Sequence, residues 1–251
     1  MEALPLDVLV ILVTVAAVAG FIDAVAGGGG LLALPALLWA GLPPVQALAT
    51  NKLQGSFGTF AASWNFLRRG EIALQPLWIP MLMTFVGSAS GTLAVQQIGS
   101  EVLGQLVPLL LIAFALYFLF SPRVGDSDAQ QRIGYGLFGV GVGFGVGFYD
   151  GFFGPGTGSF FAIAFVLLLG YNMRRATAGT KVLNFTSNIA SLIFFALAGQ
   201  VVWQVGLAMG AAQMAGAWLG SQMVIRHGTR LIRPLLVLVS LAISLRLLLV
   251  D

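Results

Sequence analysis

This chain contains no cysteine, a single histidine and very little charge: Asp and Glu number 9, Lys and Arg 12, together 8% of 251 residues. Without cysteine there is no disulfide framework, no thiolate metal site and no thiol nucleophile. The one histidine, His227, stands in a basic loop, "RHGTR", where it reads as a solvated neighbour of the arginines. With no HExxH pattern and no nucleophile beside a base, an intramembrane enzyme has little support. No Walker motif is present, which argues against ATP-driven pumping by this chain, and no cofactor is implied. Soluble domains carry roughly 25% charged residues, so a chain this poor in charge has no stretch polar enough to form one. The net charge of +3 is scattered over short loops and points to no nucleic-acid partner.

What the chain has is apolar length. Apolar residues make up 58% of it, in runs such as "LGQLVPLLLIAFALYFLF" (103–120) and "IRPLLVLVSLAISLRLLLV" (232–250). Each is close to the ~20 residues a helix needs to span hydrocarbon, so the lipid bilayer is the expected surrounding. A signal peptide over Val8–Val18 is disfavoured, because Glu2 and Asp7 replace the basic region such a peptide needs.

The chain also repeats itself. "GFIDAVA" (20–26) aligns with "GFYDGFF" (147–153), placing Asp23 on Asp150, an offset of 127. After two inserted residues "NKLQGSFGT" (51–59) falls on "TKVLNFTSN" (180–188), with Lys52 on Lys181. Gly87 and Gly91 then meet Gly216 and Gly220. The units run 3–122 and 132–251, joined by a linker at 123–131, and together form one transport domain.

Each unit holds two apolar arms flanking a glycine run (6–19 and 31–41; 133–146 and 158–170) and three further spans. If the arms return as a hairpin, Arg68, Arg69, Arg123, Arg132, Arg174, Arg175, Arg226, Arg230 and Arg233 share one side, and only Arg246 lies opposite. The positive-inside rule favours that arrangement. The expected fold is therefore an all-α polytopic membrane protein of two inverted repeats. Each repeat has about five membrane segments and opens with a Gly-rich broken or re-entrant helical hairpin. Both termini lie outside the cytoplasm and the linker within it. At 11–15 residues the arms should stop part-way through the bilayer.

Non-helical backbone survives at membrane depth only beside protein or water that satisfies it. Gly27, Gly28, Gly29 and Gly30, and Gly154, Pro155, Gly156, Thr157 and Gly158, each precede a helical arm whose N-terminal amides form an anion site. Paired breaks in inverted halves mark a secondary-transporter binding site. Tight helix packing is the simpler use of glycine and suits "GYGLFGVGVGFGVG" (134–147).

Lys52 and Lys181 lie inside helices beside polar stripes: Asn51, Gln54 and Thr59 in the first, Thr180, Asn184, Ser187 and Asn188 in the second. A buried ammonium costs on the order of 3 kcal/mol even on the milder insertion scale, so each lysine needs a partner or a task. One reading pairs Lys52 with Asp23 and Lys181 with Asp150; the other gives each lysine an anionic solute. Asp23 and Asp150 are either structural or the gating and coupling carboxylates, with H+ or Na+ open as coupling ion. The GxxxG pairs serve internal packing or a homodimer contact. An anion channel is the nearest rival to a carrier.

The stretches "GFIDAVAGGGGLLALPALLWAGLPPVQALATNKLQGSFGT" and "GFYDGFFGPGTGSFFAIAFVLLLGYNMRRATAGTKVLNFTSN" resemble the two signatures of the TauE/SafE family, the sulfite exporter or TSUP membrane proteins. The resemblance implies a prokaryotic inner-membrane carrier of small sulfur-containing anions such as sulfite, thiosulfate, sulfoacetate or related organosulfonates. It carries over to Asp23, Gly27 to Gly30, Asn51, Lys52, Asp150, Gly154, Pro155, Gly156, Thr157, Thr180, Lys181 and Asn184.

Overall fold

The computed structural model describes residues 4–119 and 127–227, and among these every regular element is a helix. The expectations for Arg123, Arg230, Arg233, Arg246 and the span 232–250 fall outside the described residues.

Helix α1 (Leu6–Ala26) ends where Gly27 and Gly28 take positive φ, +71° and +140°, a backbone that side-chain-bearing residues rarely adopt. After this break come α2 (Gly30–Trp39) and α3 (Pro44–Arg68), the latter opening on proline at its first position, where the missing N–H is no loss. A 3-10 turn at Gln75–Leu77 leads into α4 (Trp78–Val95), followed by α5 (Ser100–Leu119). The second half starts with α6 (Tyr135–Phe138), which passes through a π turn (Gly139–Gly143) into α7 (Phe144–Phe152). The break at 153–156 follows, then α8 (Thr157–Leu169), α9 (Met173–Leu197) and α10 (Trp203–His227). Asn172 caps α9, its side chain accepting from the Arg175 N–H at 2.9 Å.

The first arm is longer than the sequence suggested. "GFIDAVA" does not leave the helix but supplies the last two turns of α1, which at 21 residues reaches ~30 Å. Only the second arm of each pair is short, α2 with 10 residues and α8 with 13. The glycine run, rather than the acid before it, ends the helix. α1, the stretch Gln75–Val95 and α9 are long and apolar enough to cross a membrane.

Helices of the first half pack chiefly on helices of the second: α1 on α10, α4 on α7 and α9, α3 on α9 and α10. The GxxxG pairs make these contacts. A methyl on Gly91 of α4 would approach Phe152 N to 2.8 Å, and one on Gly220 of α10 would meet Ala24 Cβ at 3.0 Å. Both pairs are thus taken up inside the molecule, where bare glycine lets backbones touch.

Two apolar clusters are stacked along the helices. One gathers Leu12, Leu34, Leu48, Leu53, Phe195 and Met209; the other gathers Ala24, Phe66, Phe161, Phe165, Leu183 and Val224. The helices that pass from one to the other change character between them. On α3 the gap contains Ser56 and Thr59, on α9 Asn184, Ser187 and Ser191, on α10 Gln213, all buried. A polar layer therefore lies mid-way along the bundle.

The two ends differ in charge. At one, Arg174 pairs with Glu71, Arg175 stacks 3.9 Å over the Tyr171 ring, and the Arg132 N–H donates to Leu168 O. Arg68 and Arg69 adjoin Glu71, and Arg226 follows Val224 of the same apolar cluster, so every described arginine lies at this end. The opposite end carries Asp7 and Glu101 and, among the described residues, no Lys or Arg. Trp39, Trp64, Trp78 and Trp203 are exposed near helix ends, where amphipathic rings suit a membrane interface.

Candidate functional site

The two helix breaks meet. A methyl built on Gly158 would lie 2.7 Å from Gly27 Cα, so the tips touch backbone to backbone, and Ser159 Oγ donates to Gly27 O at 3.1 Å. Gly30 of the first tip faces Pro155 of the second. Beside this junction, in the polar layer, is a cavity of about 40 Å³. A water needs roughly 10–15 Å³ on that measure, so the space suits about three waters or one small oxyanion.

Of the residues singled out in the sequence, Asp23, Gly28, Gly30, Asn51, Lys52, Asp150, Gly154, Gly156, Thr157, Asn184 and Asn188 line this cavity. Gly27, Gly29, Gln54, Pro155, Thr180 and Lys181 do not; they stand behind the lining. Gln54 donates to Asn51 Oδ1 at 2.8 Å and so orients it. The Pro155 carbonyl accepts from the Tyr149 hydroxyl, and Thr180 is buried against neighbouring helices. Gly55, Thr59, Gly158 and Gln213 complete the lining. Thr59 and Gly158 belong to stretches whose pattern already stood out, but nothing in the sequence distinguishes Gln213.

Both lysines are paired, and the partners are exchanged relative to the reading within each repeat. Lys52 binds Asp150 (Nζ–Oδ1 2.9 Å), and Lys181 binds Asp23 (Nζ–Oδ2 3.0 Å). Because α1 and α7 pack on opposite-half helices, each acid is carried to the other half's lysine. Each pair thus ties the two halves together across the polar layer.

The acids are held differently. Asp23 accepts from the Gly28 and Gly29 N–H groups at 3.1 and 3.3 Å, and its own backbone carbonyl also accepts from Lys181. These amides are therefore occupied by a carboxylate of the same break rather than left open. Asp150 accepts from two hydroxyls, Thr157 Oγ1 at 2.7 Å and Ser187 Oγ, besides Lys52. Ser187 belongs to a buried cluster in which Ser88 bonds the Ser187 carbonyl and Ser191, and Thr92 bonds Ser191, joining α4 to α9. Charge-assisted bonds of this kind are the strong ones, and together they make a buried carboxylate tolerable. Chemically the arrangement is a set of N–H, O–H and ammonium donors currently engaged by two internal carboxylates.

The model for the family described as sulfite exporter TauE/SafE matches residues 12–247. A protein of Haemophilus influenzae named "Probable membrane transporter protein" is 50% identical over 94% of this chain and 92% of the relative. Escherichia coli "Probable membrane transporter protein YfcA" is 50% identical over 95% of this chain and 88% of its own. Bacillus subtilis "Probable membrane transporter protein YunE" is 23% identical over 85% and 86%. No solved structure matches the chain.

Proposed function

The chain belongs to the TauE/SafE family of membrane transporters, and we propose that it is a secondary carrier of small anions, sulfur-containing ones such as sulfite, thiosulfate, sulfoacetate or related organosulfonates. The observation that carries this reading is the meeting of two broken helices at a small polar cavity, with each lysine paired to the other half's carboxylate. Lys52, Asn51, Asn184, Asn188, Thr157 and the glycines 28, 30, 154 and 156 contact the solute. Lys181, Gln54, Thr180, Gly27, Gly29 and Pro155 hold those groups in place.

The internal carboxylates are stand-ins for the solute. An anion entering the cavity competes with Asp150 for Lys52 and Thr157. A coupling cation, H+ or Na+, that neutralises Asp150 would remove the competitor and free the ammonium. Because each pair spans the halves, releasing one loosens the contact between them, as alternating access requires.

Inverted repeats of 3–122 and 132–251, joined at 123–131, are supported by matching contacts: Gly87 and Gly91 sit on Phe144 and Phe148 of α7 as Gly216 and Gly220 sit on Ala17 and Phe21 of α1. The hairpins α1–α2 and α7–α8 then enter from opposite faces. With the arginine end in the cytoplasm the termini lie outside, in the prokaryotic inner membrane.

The test is thermal unfolding of detergent-purified protein across sulfite, thiosulfate, sulfate, sulfoacetate, taurine, phosphate and small carboxylates. A solute at 100 times its Kd adds about 2.7 kcal/mol. A selective shift is expected, lost in Lys52→Ala, and flux into proteoliposomes should saturate and respond to a pH or Na+ gradient. A well-folded protein that none of these anions stabilises refutes the reading; flux that neither saturates nor couples would make it a channel.

A further inference from the structure

Gln213 is the feature of the cavity that neither the glycine breaks nor the lysines account for. It lies mid-way along α10, is 4% exposed and lines the cavity, and its Oε1 is buried with no hydrogen-bond partner among the described residues. A buried amide oxygen without a donor is costly, on the order of 1–3 kcal/mol, so its persistence calls for a cause.

The surrounding backbone leaves room for this residue. A methyl on Gly58 of α3 would stand 2.7 Å from Gln213 Cγ and 2.9 Å from Nε2, so α3 gives up a side chain where the amide passes. A methyl on Gly20 of α1 would meet first the Gln213 backbone carbonyl and then Cγ, at 2.8 Å, so this glycine chiefly lets α1 and α10 approach backbone to backbone. The corresponding residue of the first half, at the repeat offset of 129, is Thr84 on α4. Thr84 packs on Gly147, the counterpart of Gly20, but is too short to reach the cavity and does not line it. The amide is therefore present on one side only.

Resting on the anion-carrier reading above, we propose that Gln213 is a solute-specificity residue that accepts a hydrogen bond from the bound anion, so that the site prefers an anion bearing an O–H or N–H to one without. The other groups supply charge and donors: Lys52 an ammonium, Thr157 a hydroxyl. Asn184 lies on the same lining and its Oδ1 also has no partner among the described residues, so a second acceptor is available to the same solute. Asp23 and Asp150 are already engaged by their own donors and do not substitute for these amides.

The test compares anions matched except for one hydroxyl: methanesulfonate with hydroxymethanesulfonate, and acetate with glycolate, by thermal shift titration of the purified full chain. The hydroxylated member of each pair should bind about tenfold more tightly. That preference should vanish in Gln213→Met, which keeps the volume, and in Gly58→Ala, which leaves Gln213 in the chain but displaces it. It should survive in Thr84→Val, the matched change on the other side. Equal binding of the paired anions to the wild-type protein overturns the Gln213 assignment alone, as does a preference that persists in both Gln213→Met and Gly58→Ala. If none of the four anions, nor any of the wider panel, stabilises the wild-type protein, the carrier reading falls and takes this inference with it.

Discussion

The two helix breaks answer the same problem with different chemistry. In the first, Asp23 is tied to its own glycine amides, and Lys181 grips both its carboxylate and its carbonyl away from the cavity. In the second, the Asp150 carboxylate is held, among the described residues, by the side chains of Lys52, Thr157 and Ser187, and Lys52 faces the cavity. A carboxylate bound by backbone is a fixed cap, since its donors cannot turn away. One bound by a lysine and two hydroxyls can exchange partners, because each donor rotates. Under the carrier proposal the first break is the anchor and the second the exchanging site.

The largest effect expected from breaking this comparison is on stability. Asp150→Ala leaves Lys52 buried without a counter-charge and should cost about 3–5 kcal/mol in chemical denaturation. Replacing both partners, Lys52→Met with Asp150→Leu, should recover most of that loss while abolishing anion-induced stabilisation. Failure to recover would mean that the pair organises the fold rather than the site.

Next comes binding. Lys52→Met should weaken sulfite or thiosulfate binding at least 100-fold in thermal shift titration, whereas Lys181→Met should weaken it about tenfold, acting through Asp23. These are the ratios expected if one lysine makes a charge-assisted bond to the solute and the other does not. Equal losses would mean that the halves are functionally equivalent.

Neutralising the two acids separates the breaks. Asp150→Asn removes the charge that competes for Lys52 and should show a larger anion-induced thermal shift than the wild-type protein, whereas Asp23→Asn should not. A larger shift in Asp23→Asn alone would reverse the roles assigned to the two breaks.

A smaller effect is expected at the hydroxyl cluster. Ser187→Ala removes one bond to the Asp150 carboxylate and should cost about 1.5–3 kcal/mol, while Ser191→Ala, a neutral bond further away, should cost about 1 kcal/mol. Urea denaturation of both variants checks the order.

Much of this was legible in the residues themselves. A chain this apolar cannot fold in water, four successive glycines cannot continue a helix, and a lysine in hydrocarbon must find a counter-charge; each follows from local chemistry and needs no neighbour. The repeat likewise told which acid corresponds to which lysine. Which acid meets which lysine was decided by the tertiary structure, because α1 packs on α10 and α7 on α4, crossing the partners between halves. The same holds for Gln213. Its neighbours "AAQMAG" carry no motif, and its place at the cavity depends on a glycine of another helix, Gly58, that leaves room for its side chain. Sequence determines what each segment cannot do alone; contact between distant segments decides what the assembled site can hold, since a cavity has no residues until the helices around it have packed.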